Sequence, residues 1–401
     1  MLLRKVIRRL KKMLRQIVPY NRQYKPRGVY NSIDKYIEAV KGSEVTEVFP
    51  PYISHLNVSD DFKSHFIGYV STTIVAQIPA SRVVVIPNGR AHTDNNFSVA
   101  IISGDNKLIG ELSFDLGSHV PGKNNIFRQN YFDMPKVYKG VVLSLLIGEG
   151  GIVNYSHWLV DSLSRIALVK RAGWYDKIDY FLVPSTHQDF QRDSLRLLGI
   201  DDSKVISGLK ENHVQADTLI ATTYVRYSEH FPNWCINFLR EEFLKPAILS
   251  SKEKYNPRVY ISRNDSTKRR VLNETELMAT LSKYGFASYE LSKLNFQEKI
   301  NLFAQADIVI ATIGAGQGNL VFCKEKTSVI ELMADDFAQP FFSDLANKVG
   351  LNYDYQICES DGRAETFKQG EKLNLRVDIA EVERKVQNIL NRVEVEEIHK
   401  L

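Results

Sequence analysis

Cysteine is scarce in this chain: three in 401 residues, at Cys235, Cys323 and Cys358. An odd, widely spaced set gives neither a disulfide framework nor a cluster of metal ligands, and a reducing compartment suits it best. Asn-x-Ser/Thr sequons fall at Asn57, Asn96, Asn154, Asn264 and Asn273. Asn154, Asn264 and Asn273 lie within stretches identified below as functional, where a glycan would obstruct, and this again favours the cytoplasm. Long apolar runs are missing as well. No segment approaches the roughly 20 residues of a membrane span, and the first segment is too interrupted by charge for a signal peptide. Repeats and low-complexity tracts are absent. So are G-x-x-x-x-G-K-[ST], H-E-x-x-H, G-x-S-x-G and the Asp-x-Asp pair that holds a metal beside a nucleotide-sugar, so the sequence calls for no metal and no bound cofactor.

Acid is absent from the first twenty residues, MLLRKVIRRLKKMLRQIVPY, which carry seven Lys or Arg. Leu3, Ile7, Leu10, Leu14 and Ile17 recur at spacings of three and four, and Arg4, Lys5, Arg8, Lys11, Lys12 and Arg15 cover much of the remainder. Residues 1–25 therefore read as a basic amphipathic helix. An anionic membrane surface is the favoured partner, giving a peripheral position on the inner face of a cell membrane, ahead of a helix docked on its own domain or a basic arm on nucleic acid.

The remaining composition is that of a folded globular chain, with 44% hydrophobic and 25% charged residues and a net charge of +5. Its length suggests two or three domains. SRVVVIPNGR, FSVAIISGDNKLIGELSFD and VVLSLLIGEGG read as strands, with GDNK a hairpin turn. From Ser156 the pattern alternates helix and strand, as in a parallel sheet covered by helices. The polar stretch LSSKEKYNP places a boundary near 250–257, giving an α/β domain over 26–250, a second over 258–375 and a C-terminal helix over 376–401. In the second, NETELMATLSKYG and NFQEKINLFAQA each open with a capping pattern, Asn273 with Glu276 and Asn295 with Glu298.

Three clusters could carry chemistry. DIVIAT-IGAGQ-GNLVF is a strand, a glycine-rich turn and a helix start, an arrangement whose amides and dipole favour an anion such as a diphosphate. Gly314, Ala315, Gly316, Gln317 and Asn319 form this turn, and Glu331, placed at the end of the next strand, is suited to ribose hydroxyls. Its glycines read G-x-G-x-G, and a tight structural turn is the alternative. Next, ISRNDSTKRRVLNE supplies Arg263, Lys268, Arg269 and Arg270 just beyond a strand of the same domain, suited to phosphate oxygens unless they form a solvated loop. Last, NYSHWLVD places His157 and Asp161 four apart on one helix face, within reach of a hydroxyl proton or else a helix cap with a core histidine. Glu149 is a lesser candidate base.

Together, NYSHWLVDSLSR, YISRNDSTKRRVLNE and the run from LNFQEKINLFAQADIVIATIGAGQGNLVF to VIEL resemble the family-61 glycosyltransferases, over roughly residues 80–335. That resemblance implies a GT-B fold, two Rossmann-like domains facing across a cleft, and inverting transfer from a nucleotide-sugar, most often a UDP-sugar. It implies that Arg263, Arg269 and Arg270 contact the donor diphosphate, that the glycine turn and Glu331 hold phosphate and ribose, and that His157 and Asp161 lie on the acceptor side, with Asp161 the base. The implied acceptor is a lipid-linked glycan in bacterial capsule, exopolysaccharide or O-antigen assembly. One position departs: where the family reads His-Gly-Ala-Gly, this chain has Ile313. A nucleotide-dependent oxidoreductase and a non-catalytic glycan-binding protein are the other classes that share a glycine turn of this kind.

Overall fold

The computed structural model describes residues 10, 13, 14 and 17–398, apart from 69–71, 96, 149 and 246–252, with side chains as far as 392. Glu149 and the basic positions Arg4, Lys5, Arg8, Lys11, Lys12 and Arg15 lie outside the described residues. The chain separates into two compact units, Met1–Tyr52 with Gln77–Val225 and Ile53–Ala76 with Arg226–Leu401.

The first unit is built on a mixed sheet of eleven described strands. Its parallel part is centred on Lys136–Ser144, which lies between His213–Thr222 and Tyr180–Val183, with Val205–Ser207 beyond the latter. His213–Thr222 then turns the sheet antiparallel by pairing with Ser81–Pro87 and Arg90–Thr93. The expected hairpin is present: Ser98–Ile102 pairs with Leu108–Ile109, and Asn106 takes the left-handed conformation that the tight turn requires. Val84, Ile86, Val142, Leu182, Val214 and Leu219 fill the core beneath it. The sheet is α/β only in part, because an antiparallel meander precedes the alternating helix and strand series.

The second unit is a parallel sheet closed by one antiparallel strand. We number its strands β1 (Arg258–Ser262), β2 (Ala287–Glu290), β3 (Ile308–Thr312), β4 (Ser328–Ala334), β5 (Asn352–Ser360) and β6 (Leu375–Arg376), and its helices α1 (Glu274–Lys283), α2 (Phe296–Gln305), α3 (Phe341–Val349) and α4 (Ile379–Ile398). The spatial order is β2-β1-β3-β4-β5-β6. Every residue of β3 and β4 is buried, as expected of central parallel strands covered on both faces. Because the chain moves from β1 to β2 on one side and returns to β3 on the other, a crevice opens beyond the C-terminal ends of β1 and β3.

Three expectations are corrected. The division falls at Val225, earlier than the polar stretch suggested, and Ile53–Ala76 joins the second unit. Packing decides this. Arg240 donates to the carbonyls of Val321 and Cys323 at 2.7 Å each, the Phe231 amide donates to Asp344 at 2.8 Å, and His230 Nδ1 bonds Ser54 Oγ at 2.9 Å. The capping box at Asn295 and Glu298 forms, whereas Asn273 leaves α1 uncapped. Its amide instead bonds both backbone groups of Val377, which ties the start of α1 to the chain entering α4. That last helix is no separate appendage: Lys385 pairs with Asp354 at 2.8 Å, and Val382 and Val386 are buried.

Candidate functional site

The loops leaving β1 and β3 bring together most of the donor-side residues singled out from sequence. Arg263 follows β1 directly. Its Nε donates to the Lys268 carbonyl at 3.1 Å and its Nη2 to Ser266 Oγ at 3.0 Å, which folds the loop back over its own guanidinium. Gly314 follows β3 with φ 173°, extended backbone open to any residue. Space favours the glycine instead: a Cβ there would lie 2.5 Å from Arg263 Nη1, and the guanidinium would have to shift. Gly316 is bare for a similar reason, since its Cβ would lie 2.6 Å from Leu291 Cδ1. The turn makes room first for protein side chains, and it is Arg263 that fills the volume in front of it.

A 3₁₀ helix then runs from Ala315 to Phe322 with no side chain capping its start. Gln317 N–H donates to the Gly314 carbonyl at 2.9 Å, which leaves the amides of Ala315 and Gly316 outside the ladder. Asn319 donates from Nδ2 to the Gly316 carbonyl at 2.8 Å, fixing the turn from inside.

Arg269 is the most unusual member of the cluster. Its backbone is left-handed, φ 56°, uncommon outside glycine and asparagine. Its guanidinium lies 5.7 Å from the centroid of the Phe337 ring. Nε is buried with no hydrogen-bond partner among the described residues. Burial, helped by repulsion from Arg263, pulls its pKa down to about 10, and burial also lowers that of Arg263. Two desolvated cations close enough to repel one another, neither in an ion pair among the described residues, are an arrangement that an anion would stabilise. Lys268 and Arg270 are spent differently. Lys268 pairs with Glu371 at 2.7 Å, and the exposed Arg270 donates to Asn264 Oδ1 at 3.2 Å.

Glu331 is not where its spacing suggested. It is the fourth of seven residues in β4, wholly buried, rather than a carboxylate at the strand end. Oε1 accepts from Gln317 Nε2 and Oε2 from the Tyr353 hydroxyl, both at 2.6 Å. Gln317 Nε2 also donates to the Thr312 carbonyl at 3.1 Å. Glu331 therefore holds the turn through Gln317 and has no exposed oxygen for a ribose. Burial pushes its carboxyl up to about 7.

Apart from Gln317, which belongs to the turn already singled out from sequence, the side chains that follow gave no sequence signal. Thr312 Oγ1, Gln317 Oε1 and both amide atoms of Gln339 are buried without a hydrogen-bond partner among the described residues. Thr312 ends β3, and Gln339 lies in the loop between β4 and α3. Buried polar groups are normally satisfied, so such a group near the C-terminal ends of adjacent strands points to a solvent or ligand component. Isolated Thr and Gln residues carry no spacing pattern that would have revealed them. Ile313 is 1% exposed, and its amide bonds the Leu332 carbonyl.

His157 and Asp161 belong to the first unit. Beyond Lys136–Ser144, Asn154 caps a helix by accepting from the His157 amide at 3.2 Å. Trp158–Leu163 is a π turn, followed by a regular helix over Arg165–Arg171. Single π turns of this kind are common at functional sites. The wider turn brings positions four apart into line, and His157 Nδ1 lies 2.6 Å from Asp161 Oδ2. The surroundings fix the pair: Trp158 donates to Ser194 at 2.9 Å, Ser162 to the Leu145 carbonyl at 2.8 Å, and Arg165 to the Asp161 carbonyl at 2.9 Å. The histidine side chain is 44% exposed and the aspartate 18%. An imidazole oriented through Nδ1 by a carboxylate presents Nε2 as its basic atom.

Comparison with known proteins adds one finding. The sequence profile of the family Glycosyltransferase 61 matches residues 155–330. The matched stretch begins at the first residue of the helix bearing His157, contains the arginine loop and the glycine turn, and ends inside β4. It covers less than half of the chain and supports a family-61 glycosyltransferase, a transferase of sugars. No curated protein matches the chain at significant similarity.

Proposed function

We propose that the chain transfers a sugar, with inversion, from a nucleoside diphosphate sugar, most simply a UDP-sugar, to a hydroxyl of a glycan acceptor. The observation that carries this reading is the pair of half-buried, desolvated guanidiniums of Arg263 and Arg269, set against a bare turn and an uncapped 3₁₀ start at the switch point of a parallel sheet. Bidentate guanidinium contacts suit phosphate oxygens, and in a desolvated site they stabilise charge on a departing diphosphate. As in the GT-B type, one unit would hold the donor and the other supply the base. We place the acceptor among lipid-linked glycans of bacterial surface polysaccharides, on the cytoplasmic side of the membrane.

The reaction is a single displacement. His157 Nε2 takes the proton of the acceptor hydroxyl while that oxygen attacks the anomeric carbon. The bond from this carbon to the diphosphate oxygen breaks, and the nucleoside diphosphate leaves with the electron pair toward Arg263, Arg269 and the amides of Ala315 and Gly316. Sequence favoured Asp161 as the base; the geometry favours His157, because Asp161 Oδ2 is engaged in orienting the ring. Positive charge for the leaving group comes from the arginines.

Calorimetric titration with UDP, GDP, CMP, ADP and NAD tests the reading. One nucleoside diphosphate is expected to bind. Arg269→Ala weakens it by roughly tenfold or more, since a hydrogen bond to a charged group contributes about 1.5–3 kcal/mol, whereas Arg270→Ala changes it little. Asp161→Asn keeps donor affinity but lowers transfer by roughly 100-fold or more, the usual scale of general base catalysis. Binding of NAD alone would replace the reading with a nucleotide-dependent oxidoreductase. Donor binding indifferent to Arg269→Ala would remove the arginine frame from it.

A further inference from the structure

Leu10, Met13, Leu14, Ile17 and Val18 stand at successive spacings of three, one, three and one, which places them on one face of a helix. The first four are helical, and the Val18 amide donates to the Leu14 carbonyl at 2.9 Å. All five are exposed, by 53%, 59%, 56%, 71% and 51%. A continuous apolar stripe left open in this way marks an interaction surface, since isolated exposed leucines are ordinary but an aligned set is not. The stripe is anchored at its end. The Tyr20 amide donates to the Asn130 carbonyl at 2.9 Å, the Phe132 amide to the Tyr20 carbonyl at 3.0 Å, and the Tyr20 ring stacks on Tyr131 at 4.8 Å. Asn21 adds a bond from Nδ2 to the Phe132 carbonyl at 3.1 Å.

Charge selects the occupant. The same twenty residues of sequence carry seven Lys or Arg and no Asp or Glu. A second copy of the chain would bring a segment of the same sign against this one, which is unfavourable. A surface with a fixed negative charge and an apolar interior meets both features at once. We infer that Leu10–Val18 seats the protein on an anionic lipid surface, with the five apolar side chains at the acyl boundary and the Lys and Arg of the segment among the headgroups. This inference is independent of the sugar-transfer reading.

Co-sedimentation of the full chain with vesicles tests it, using phosphatidylcholine alone and phosphatidylcholine mixed with phosphatidylglycerol. Binding to the anionic vesicles is expected to be at least about tenfold stronger, and to fade at high salt. Leu14→Asp with Ile17→Asp, and separately Lys11→Glu with Lys12→Glu, should each lower it by about tenfold or more. Neither pair belongs to the donor or acceptor residues proposed above, so melting temperature and nucleotide binding are expected to stay as in the wild type. Equal binding to both vesicle types overturns the inference, as does binding that survives the Leu14→Asp/Ile17→Asp change. A protein that binds no vesicle, and that the aspartate pair converts from dimer to monomer, would assign the stripe to self-association and overturn it as well. Retention on nucleic acid with no vesicle binding would do the same.

Discussion

Glu331 is a fully buried carboxylic acid whose two oxygens are bonded by an amide and a phenol and by no cation among the described residues. Its folded pKa is therefore raised, from 4.5 to about 7. Below pH 4.5 it is protonated in both the folded and the unfolded chain, and the folded state loses nothing. As the pH rises through 7 the unfolded chain ionises first, and stability falls by an amount on the order of 3 kcal/mol. Glu331→Gln cannot ionise and forfeits one hydrogen bond at every pH, so only the slope is informative. Urea denaturation at about pH 5 and pH 8 should show the substituted protein gaining on the wild type toward alkaline pH; parallel stabilities would refute the assignment. This role was illegible in sequence, where the carboxylate read as a ribose ligand. Spacing along a strand counts residues, but the partners that decide the role, Gln317 and Tyr353, come from elsewhere in the chain. The arginines, in contrast, were legible as a group, because residues that follow a strand closely are carried to the same end of the sheet. Which of them are half-buried was not legible, since loop folding turned Arg263 and Arg269 inward and left Arg270 exposed.

At the scale of elements, the alternation of helix and strand in the second unit and the cap at Asn295 were readable, because both depend on residues within one turn of each other. Asn273 looked identical in sequence, but its amide was taken by Val377, a partner 104 positions away. The glycine turn was readable as a place needing bare backbone, though what occupies the space is an arginine. Gly314→Ala follows from this. With φ at 173° the alanine meets no backbone strain, so stability should change by less than about 1 kcal/mol. Its methyl would displace Arg263 Nη1, however, and so detune the anion frame. Nucleotide affinity is expected to fall several-fold, by roughly 1 kcal/mol or more, with an almost unchanged melting temperature. A protein that loses melting temperature and keeps affinity would show that the turn serves folding alone.

For the whole molecule, the sequence did not disclose how the chain divides. Composition shifts mark polar linkers, and the excursion of Ile53–Ala76 into the second unit has none; it is set by contacts with residues far downstream. Phe62, 2% exposed, stacks on Tyr355 at 4.1 Å, and Asn347 donates to the Asn57 carbonyl at 2.9 Å. Phe62→Ala should destabilise the second unit by about 3–5 kcal/mol, the usual effect of removing a buried phenylalanine. Hydrogen exchange would show this as lost protection in peptides from residues 226–392, with those from residues 77–225 unchanged. Equal loss in both would mean that the two units unfold as one.

The excursion also has a consequence in time. Residues 77–225 separate it from the remainder of its unit, 225 − 76 = 149 positions. Tyr355, on which Phe62 stacks, comes 355 − 62 = 293 positions after it, so at synthesis rates of about 5–20 residues per second Phe62 leaves the ribosome about 15–60 s before its cover. For that interval the growing chain carries an apolar hook with nothing to close on, and the later half must find it before another chain does.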